Sequence, residues 1–225
     1  MYRISVTTLE KFRRFMAEVS SYDTEQSLID SITGGFIGNE KTDIGEGYHS
    51  LIEGDFSSER EHFKAGKFLF TPEQARAAFQ YKREHKSMIH EVTVSKVYVI
   101  PGYEINVRGR IDGVEGMQLR DIKTKFSSID FQEYYNSYQW RFYLDMLGLD
   151  AFWYDIFEVT GFDHLTGSAP YKLPDVSFLA PEPFVCYSYP SMHQDCRALL
   201  NDFMGWIRER NFFHLLKTEP VVPAH

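Results

Sequence analysis

Gly109-Arg-Ile-Asp-Gly-Val-Glu-Gly-Met-Gln-Leu-Arg-Asp-Ile-Lys-Thr124 is the stretch on which the fold reading turns. Its first part continues a run from Glu104. There, period-two alternation sets Ile105, Val107 and Ile111 on one face and Arg108, Arg110 and Asp112 on the other, the mark of a half-buried strand. Asp112 ends that strand on its polar side. Met117 to Lys125 also reads as extended, and the same alternation puts Asp121 and Lys123 on one face, roughly 6–7 Å apart along the strand. Two carboxylates and an ammonium are thereby expected to converge.

That combination has a chemical use. Hard divalent cations bind carboxylate oxygens, and a phosphodiester needs its charge neutralised while a positioned water attacks phosphorus. A compact, strongly hydrated ammonium orients the water and stabilises the charge that develops on the phosphate. A lone Asp-x-Lys is also what a solvated hairpin carries, so the pair takes its meaning from the segments around it.

Those segments are Gly45-Glu-Gly-Tyr-His49-Ser-Leu-Ile-Glu53, then Gly109-Arg-Ile-Asp112-Gly, then Asp121-Ile-Lys123-Thr, then Gln139-Trp-Arg-Phe-Tyr143. In order and spacing the four resemble the motifs of the RecB-like branch of the PD-(D/E)XK nucleases. That group includes phage exonucleases, RecB-type nuclease domains and CRISPR-associated RecB-like nucleases. The resemblance spans about residues 45 to 159, roughly half the chain, and its force lies in four weak motifs in the right sequence of elements.

The resemblance implies an α/β fold with a restriction-endonuclease-like core, a central mixed β-sheet flanked by α-helices. It implies a metal-dependent DNA exonuclease of phage or bacterial recombination and repair type. Asp112, Asp121 and Lys123 become the catalytic residues, and His49, Asp112, Asp121 and the main-chain carbonyl of Ile122 the ligands of one or two magnesium or manganese ions. Gln139 and Tyr143 become substrate-binding or site-supporting residues. For Tyr143, ordinary packing is an equal alternative, because the surrounding helix is rich in apolar side chains. Other readings of the same core are a structure-specific endonuclease and a non-catalytic nucleic-acid-binding subunit. The implied partner is DNA with free ends, with a second copy of the chain or a separate recombination or helicase protein as further candidates. Lys125 and Phe126 depart from the glycine common after the family lysine. Glu53 and Glu91 read as ordinary charges rather than ligands. Arg108, Arg110, Arg120 and Lys125 suit either phosphate contacts or a solvated strand face.

Composition agrees with one domain over residues 1–225: 43% of residues are hydrophobic, enough for a sizeable core, and 19 Phe and 14 Tyr must mostly fill it. A net charge of −8 argues against a generic DNA-coating protein and leaves room for a local basic groove. Cys186 and Cys196 are too few for the four-cysteine iron–sulfur cluster of some relatives, so no cluster is expected. Low cysteine content, no signal-peptide pattern and no membrane-length apolar run favour the cytosol, away from membranes.

Elsewhere the pattern predicts two N-terminal helices within 7–34, then a glycine-rich flexible passage through Gly34, Gly35, Gly38, Gly45 and Gly47. Thr71-Pro-Glu-Gln74 opens a helix to about Lys86. A meander of three antiparallel strands leads to one helix from about Asp130 to Leu147 and a strand from Ala151 to Val159. Residues 160–183 read as a long loop, a candidate substrate flap. A closing strand and helix are expected in about 184–212, with a frayed tail after Leu216.

Overall fold

The protein is described here by a computed structural model covering residues 1–35, 38–56 and 61–220. It opens with strand β1 (Tyr2–Ser5), whose last residue caps helix α1 (Val6–Met16), Ser5 Oγ accepting the Thr8 N–H at 3.0 Å. Helix α2 (Glu25–Thr33) starts on a Thr24/Ser27 capping box and stops at Gly34, which adopts the left-handed φ of 82°. Helix α3 (Glu40–Glu53) begins earlier than expected, because Asn39 caps it, and it absorbs Gly45 and Gly47 from the supposed flexible passage. A short hairpin, β2 (Phe63–Ala65) and β3 (Phe68–Phe70), precedes helix α4 (Pro72–Glu84), which carries the Thr71/Gln74 capping box its sequence predicts.

Strands β4 (Ile89–Ile100), β5 (Tyr103–Glu115) and β6 (Gln118–Lys125) form the antiparallel meander. The helix expected over 130–147 is two helices, α5 (Phe131–Asn136) and α6 (Gln139–Leu147). Ser137 is extended between them, and the amide groups exposed by the break are taken up by side chains: Glu10 accepts from Tyr138 N at 2.7 Å and Ser137 Oγ from Gln139 N at 3.1 Å. Strand β7 (Ala151–Thr160) follows. Residues 160–183 are not all loop, since β8 (Tyr171–Lys172) pairs with β3 and β9 (Ser177–Phe178) pairs with β7. Strand β10 (Glu182–Tyr187), helix α7 (Met192–Glu209) and β11 (Lys217–Thr218) complete the described chain. The tail expected to fray is tied down as far as Glu219 by pairing of β11 with β1; residues 221–225 lie outside the described residues.

The result is mixed α/β: an eight-stranded mixed sheet ordered β10-β7-β6-β5-β1-β11, with β4 on the other edge of β5 and β9 on β7. β1 runs parallel to β5 and β6 parallel to β7. One face packs on α1, α6 and α7, where Leu199, Leu200, Phe203, Trp206 and Ile207 form the buried stripe read from the sequence. The other face carries a second core under α3, α4 and the small sheet, built on Tyr48, Ile122 and Phe157. No helix among the described residues is long and apolar enough to cross a membrane.

The layers are joined by buried charge. One guanidinium nitrogen of Arg120 lies 2.9 and 2.8 Å from the two oxygens of Asp155, and the Tyr81 hydroxyl donates to Asp155 Oδ2 at 2.6 Å. Arg120 is therefore a structural residue linking β6, β7 and α4, not a phosphate contact. Removing one member leaves the other charge buried and unpaired. Asp155→Ala should cost about 3–5 kcal/mol and Tyr81→Phe only about 1 kcal/mol, measured by urea unfolding; equal losses would contradict the network.

Candidate active site

The site begins with an opening in the sheet. β4 pairs with β5 along one edge, whereas the other edge is shared: β1 takes residues 105–108 and β6 takes residues 113–115. Between them, residues 109–112 have no strand partner on that edge, and their polar groups find side chains instead. Asp112 Oδ2 accepts the Ile122 N–H at 2.8 Å, and the Tyr143 hydroxyl donates to the Arg110 carbonyl at 2.8 Å. A β-carbon at Gly109 would overlap the Tyr143 ring, so glycine is what lets α6 press against the opening. Tyr143 thus packs, stacked on Phe152, and supports the site through one hydrogen bond.

Helix α3 approaches from the other face. A β-carbon at Gly45 would stand 2.7 Å from Thr124 Oγ1, so a side chain there would push the helix off β6. That close approach brings His49, one turn later, to the Ile122 main chain, which is a hydrogen-bonding neighbour of the imidazole. Burial lowers the pKa of His49 below the ordinary histidine value, against the opposing pull of Asp112, and so favours the neutral imidazole.

Asp121 and Lys123 leave β6 on the α5/α6 side and meet at the same opening. Asp121 Oδ2 lies 2.5 Å from Lys123 Nζ, and Gln139 Nε2 donates to Asp121 Oδ1 at 2.7 Å. The break before α6 matters here, because it puts Gln139 in the first turn, aimed at the carboxylate. Burial pushes the Asp121 carboxyl up to about 7, opposed by Lys123. Burial opposes the charge on Lys123 too, but Asp121 and Asp112 outweigh it and hold the ammonium well above its ordinary range.

A cleft of about 460 Å³ joins these groups, lined by His49, Glu91, Arg110, Asp112, Ile122 and Lys123, with Lys41 over the Phe126 ring at its rim. The structure brings every proposed site residue to this opening, Gln139 and Tyr143 from behind. Glu91, set aside on sequence, is a wall of the cleft: the β4–β5 register places it opposite Asp112, and it adopts a left-handed φ of 59° rare for a side chain. Its carboxylate is 2.6 Å from Arg110 Nε. Glu53 is half-buried, its carboxyl raised by burial and then by Glu91 and Asp112, so it is not the freely solvated charge expected. Lys125 is engaged by Glu133 at 2.9 Å, and Phe126, in place of glycine, packs on Phe162.

Among the described residues, no three His, Cys, Asp or Glu side chains are placed so that together they could hold a metal ion. The donor types nevertheless suit a hard divalent ion: the imidazole of His49, the carboxylate of Asp112, the Ile122 carbonyl, and the buried Asp121 carboxylate, whose Oδ2 is paired with the Lys123 ammonium.

No protein-family model matches the chain, and no curated protein matches it. Its fold is similar to that in the crystal structure of SSO0001, with a TM-score of 0.52 and 12% identity, over 92% of this chain and 77% of that one. The likeness is one of fold. Tyr143→Phe, which keeps the ring and loses the bond to Arg110, should cost about 1 kcal/mol. Gly109→Ala, which must displace the ring, should cost about 1–3 kcal/mol and disorder the opening; thermal melts of both variants check the order.

Proposed function

We propose that the chain is a metal-dependent DNA nuclease of the RecB-like PD-(D/E)XK type, acting as an exonuclease on a restriction-endonuclease-like core. The observation that carries this reading is the meeting of Asp112, the Ile122 carbonyl, His49 and the Asp121–Lys123 pair at one opening of the sheet. Such a set has little use in a purely structural domain, where burying two carboxylates and an ammonium together costs stability.

In the proposed reaction His49, Asp112, Asp121 and the Ile122 carbonyl would hold magnesium or manganese, which would supply Lewis-acid stabilisation of the phosphate charge. Lys123, 35% exposed at the cleft and held by Asp121, orients the attacking water and offers its positive charge to the phosphoryl oxygens. Gln139 fixes the Asp121 carboxylate, and through it the lysine. Arg110 stands at the mouth, 68% exposed beside Glu91, where it meets the strand.

Digestion of end-labelled linear duplex, linear single strand and closed circular DNA, with magnesium, manganese or chelator, tests the reading. Linear DNA should lose nucleotides only with metal, closed circles should survive, and Lys123→Ala or Asp121→Asn should lower the rate by about 10²-fold or more. Cutting of closed circles would make it an endonuclease. Turnover unaffected by both substitutions would overturn the catalytic assignment.

A further inference from the structure

The side of the sheet that carries Asp112 is only half covered. Helices α3 and α4 lie over β6 and β7, while β4, β5 and β1 present an uncovered face that is polar on β5 and β1 and carries exposed Val97 and Val99 at the far end of β4. On β5 that face bears Asn106, Arg108, Arg110 and Asp112 in alternation, and the parallel register places Arg3 beside Asn106 and Ser5 beside Arg108. Exposed Thr93 and Ser95 of β4 stand opposite Arg110 and Arg108. Arg108 is four residues from Asp112, roughly 13 Å along the strand.

At the far end of this face one anion is already seated. The Glu219 carboxylate accepts from Asn106 Nδ2 at 2.8 Å and lies 3.2 Å from Arg3 and 3.5 Å from Arg108. A cavity of about 270 Å³ shares Arg3 and Arg108 with it, its lining part polar, with Ser5, Thr8 and Lys217, and part apolar, with Ile32, Phe203 and Leu216. Two arginines and an amide there face one carboxylate. The tail does not need that carboxylate for docking, because Tyr2 and Arg3 pair with Thr218 and Lys217 and the Glu219 N–H donates to the Met1 carbonyl at 3.0 Å. Two oxygens of one anion gripped by arginine and amide donors are also how a phosphodiester is held.

We propose that Arg3, Asn106 and Arg108 form a phosphodiester-binding site that carries the DNA strand along the bare face to Asp112, and that Glu219 occupies this site until the strand displaces it. The inference rests on the nuclease reading and deepens it: it names a substrate contact outside the cleft and the group that competes for it. It also gives an acidic chain of net charge −8 a local seat for a polyanion.

The test is anisotropy of labelled single-stranded and duplex DNA in chelator, across a salt series, for wild type, Arg3→Ala, Arg108→Ala and Glu219→Gln, with melting temperatures and cleavage in magnesium and manganese measured in parallel. Each arginine variant should bind about tenfold more weakly with a salt slope smaller by about 1. Glu219→Gln keeps a hydrogen-bonding side chain beside Asn106 but removes the competing charge, and should bind roughly fivefold more tightly. Arg108→Lys, which retains charge without the planar fork, should fall between Arg108→Ala and wild type and guards against a folding defect. Wild-type cleavage with affinities unmoved by all these substitutions overturns this site and leaves the nuclease reading standing. Weaker binding by Glu219→Gln at an unchanged melting temperature likewise overturns it. A wild type that neither binds nor cuts DNA overturns both.

Discussion

The hydrogen bond from the Ile122 amide to the Asp112 carboxylate holds the centre of this molecule together. A main-chain donor in mid-sheet ordinarily finds a strand carbonyl. Here β5 and β6 part, and a side-chain carboxylate takes the carbonyl's place. Because the neighbouring strand is absent at residues 109–112, Asp112 reaches Ile122, Tyr143 reaches Arg110, and groups that leave β6 on the opposite face from Asp112 still meet it. A continuous ladder would have sealed the sheet and kept Asp112 and Lys123 on opposite sides.

Two glycines turn that opening into a site. Gly109 admits the Tyr143 ring from one face, and Gly45 lets α3 close on Thr124 from the other, so that both helices lie nearer the strands than side chains would permit. The groups so gathered are costly to bury, and each is compensated locally. Asp121 has Lys123 and Gln139, and Arg120 has Asp155 and Tyr81. The two networks sit side by side on β6, yet only the first opens to a cleft. Arg120 is spent between Asp155 and Gln118 inside the layers, whereas Lys123, the partner of Asp121, reaches the cleft.

Much of this was legible in the linear chain where a local rule operates. The Thr71 capping box, the alternation of β5, and the apolar stripe of α7 each follow from period or cap chemistry and stand as read. Errors fell where long-range pairing decides. β1 and β11 are too short to signal themselves: β1 exists because it pairs along β5, and β11 because it pairs with β1. The break at Ser137 is invisible in helix periodicity, since its cause is Glu10, far away in sequence, accepting the Tyr138 amide. Glu91 resembles an upstream glutamate of some relatives and reads in the sequence as an ordinary charge, because its place in the cleft wall comes from the strand register and a left-handed backbone that no local pattern signals.

By itself, then, the sequence determined the residue types of the site and the elements that carry them: an aspartate on the polar face of a strand, which runs on to Glu115 instead of ending at Asp112, an Asp-x-Lys strand, a histidine helix and a Gln-x-x-x-Tyr helix. These follow from side-chain chemistry and periods of two and 3.6, which act over a few residues. Tertiary structure decided which charges face solvent and which are spent in the core, where the sheet opens, and that Glu219 lies against Arg3 and Arg108. Those outcomes depend on which strand edges are left unpaired after the chain has closed on itself, a property of contacts across more than a hundred residues.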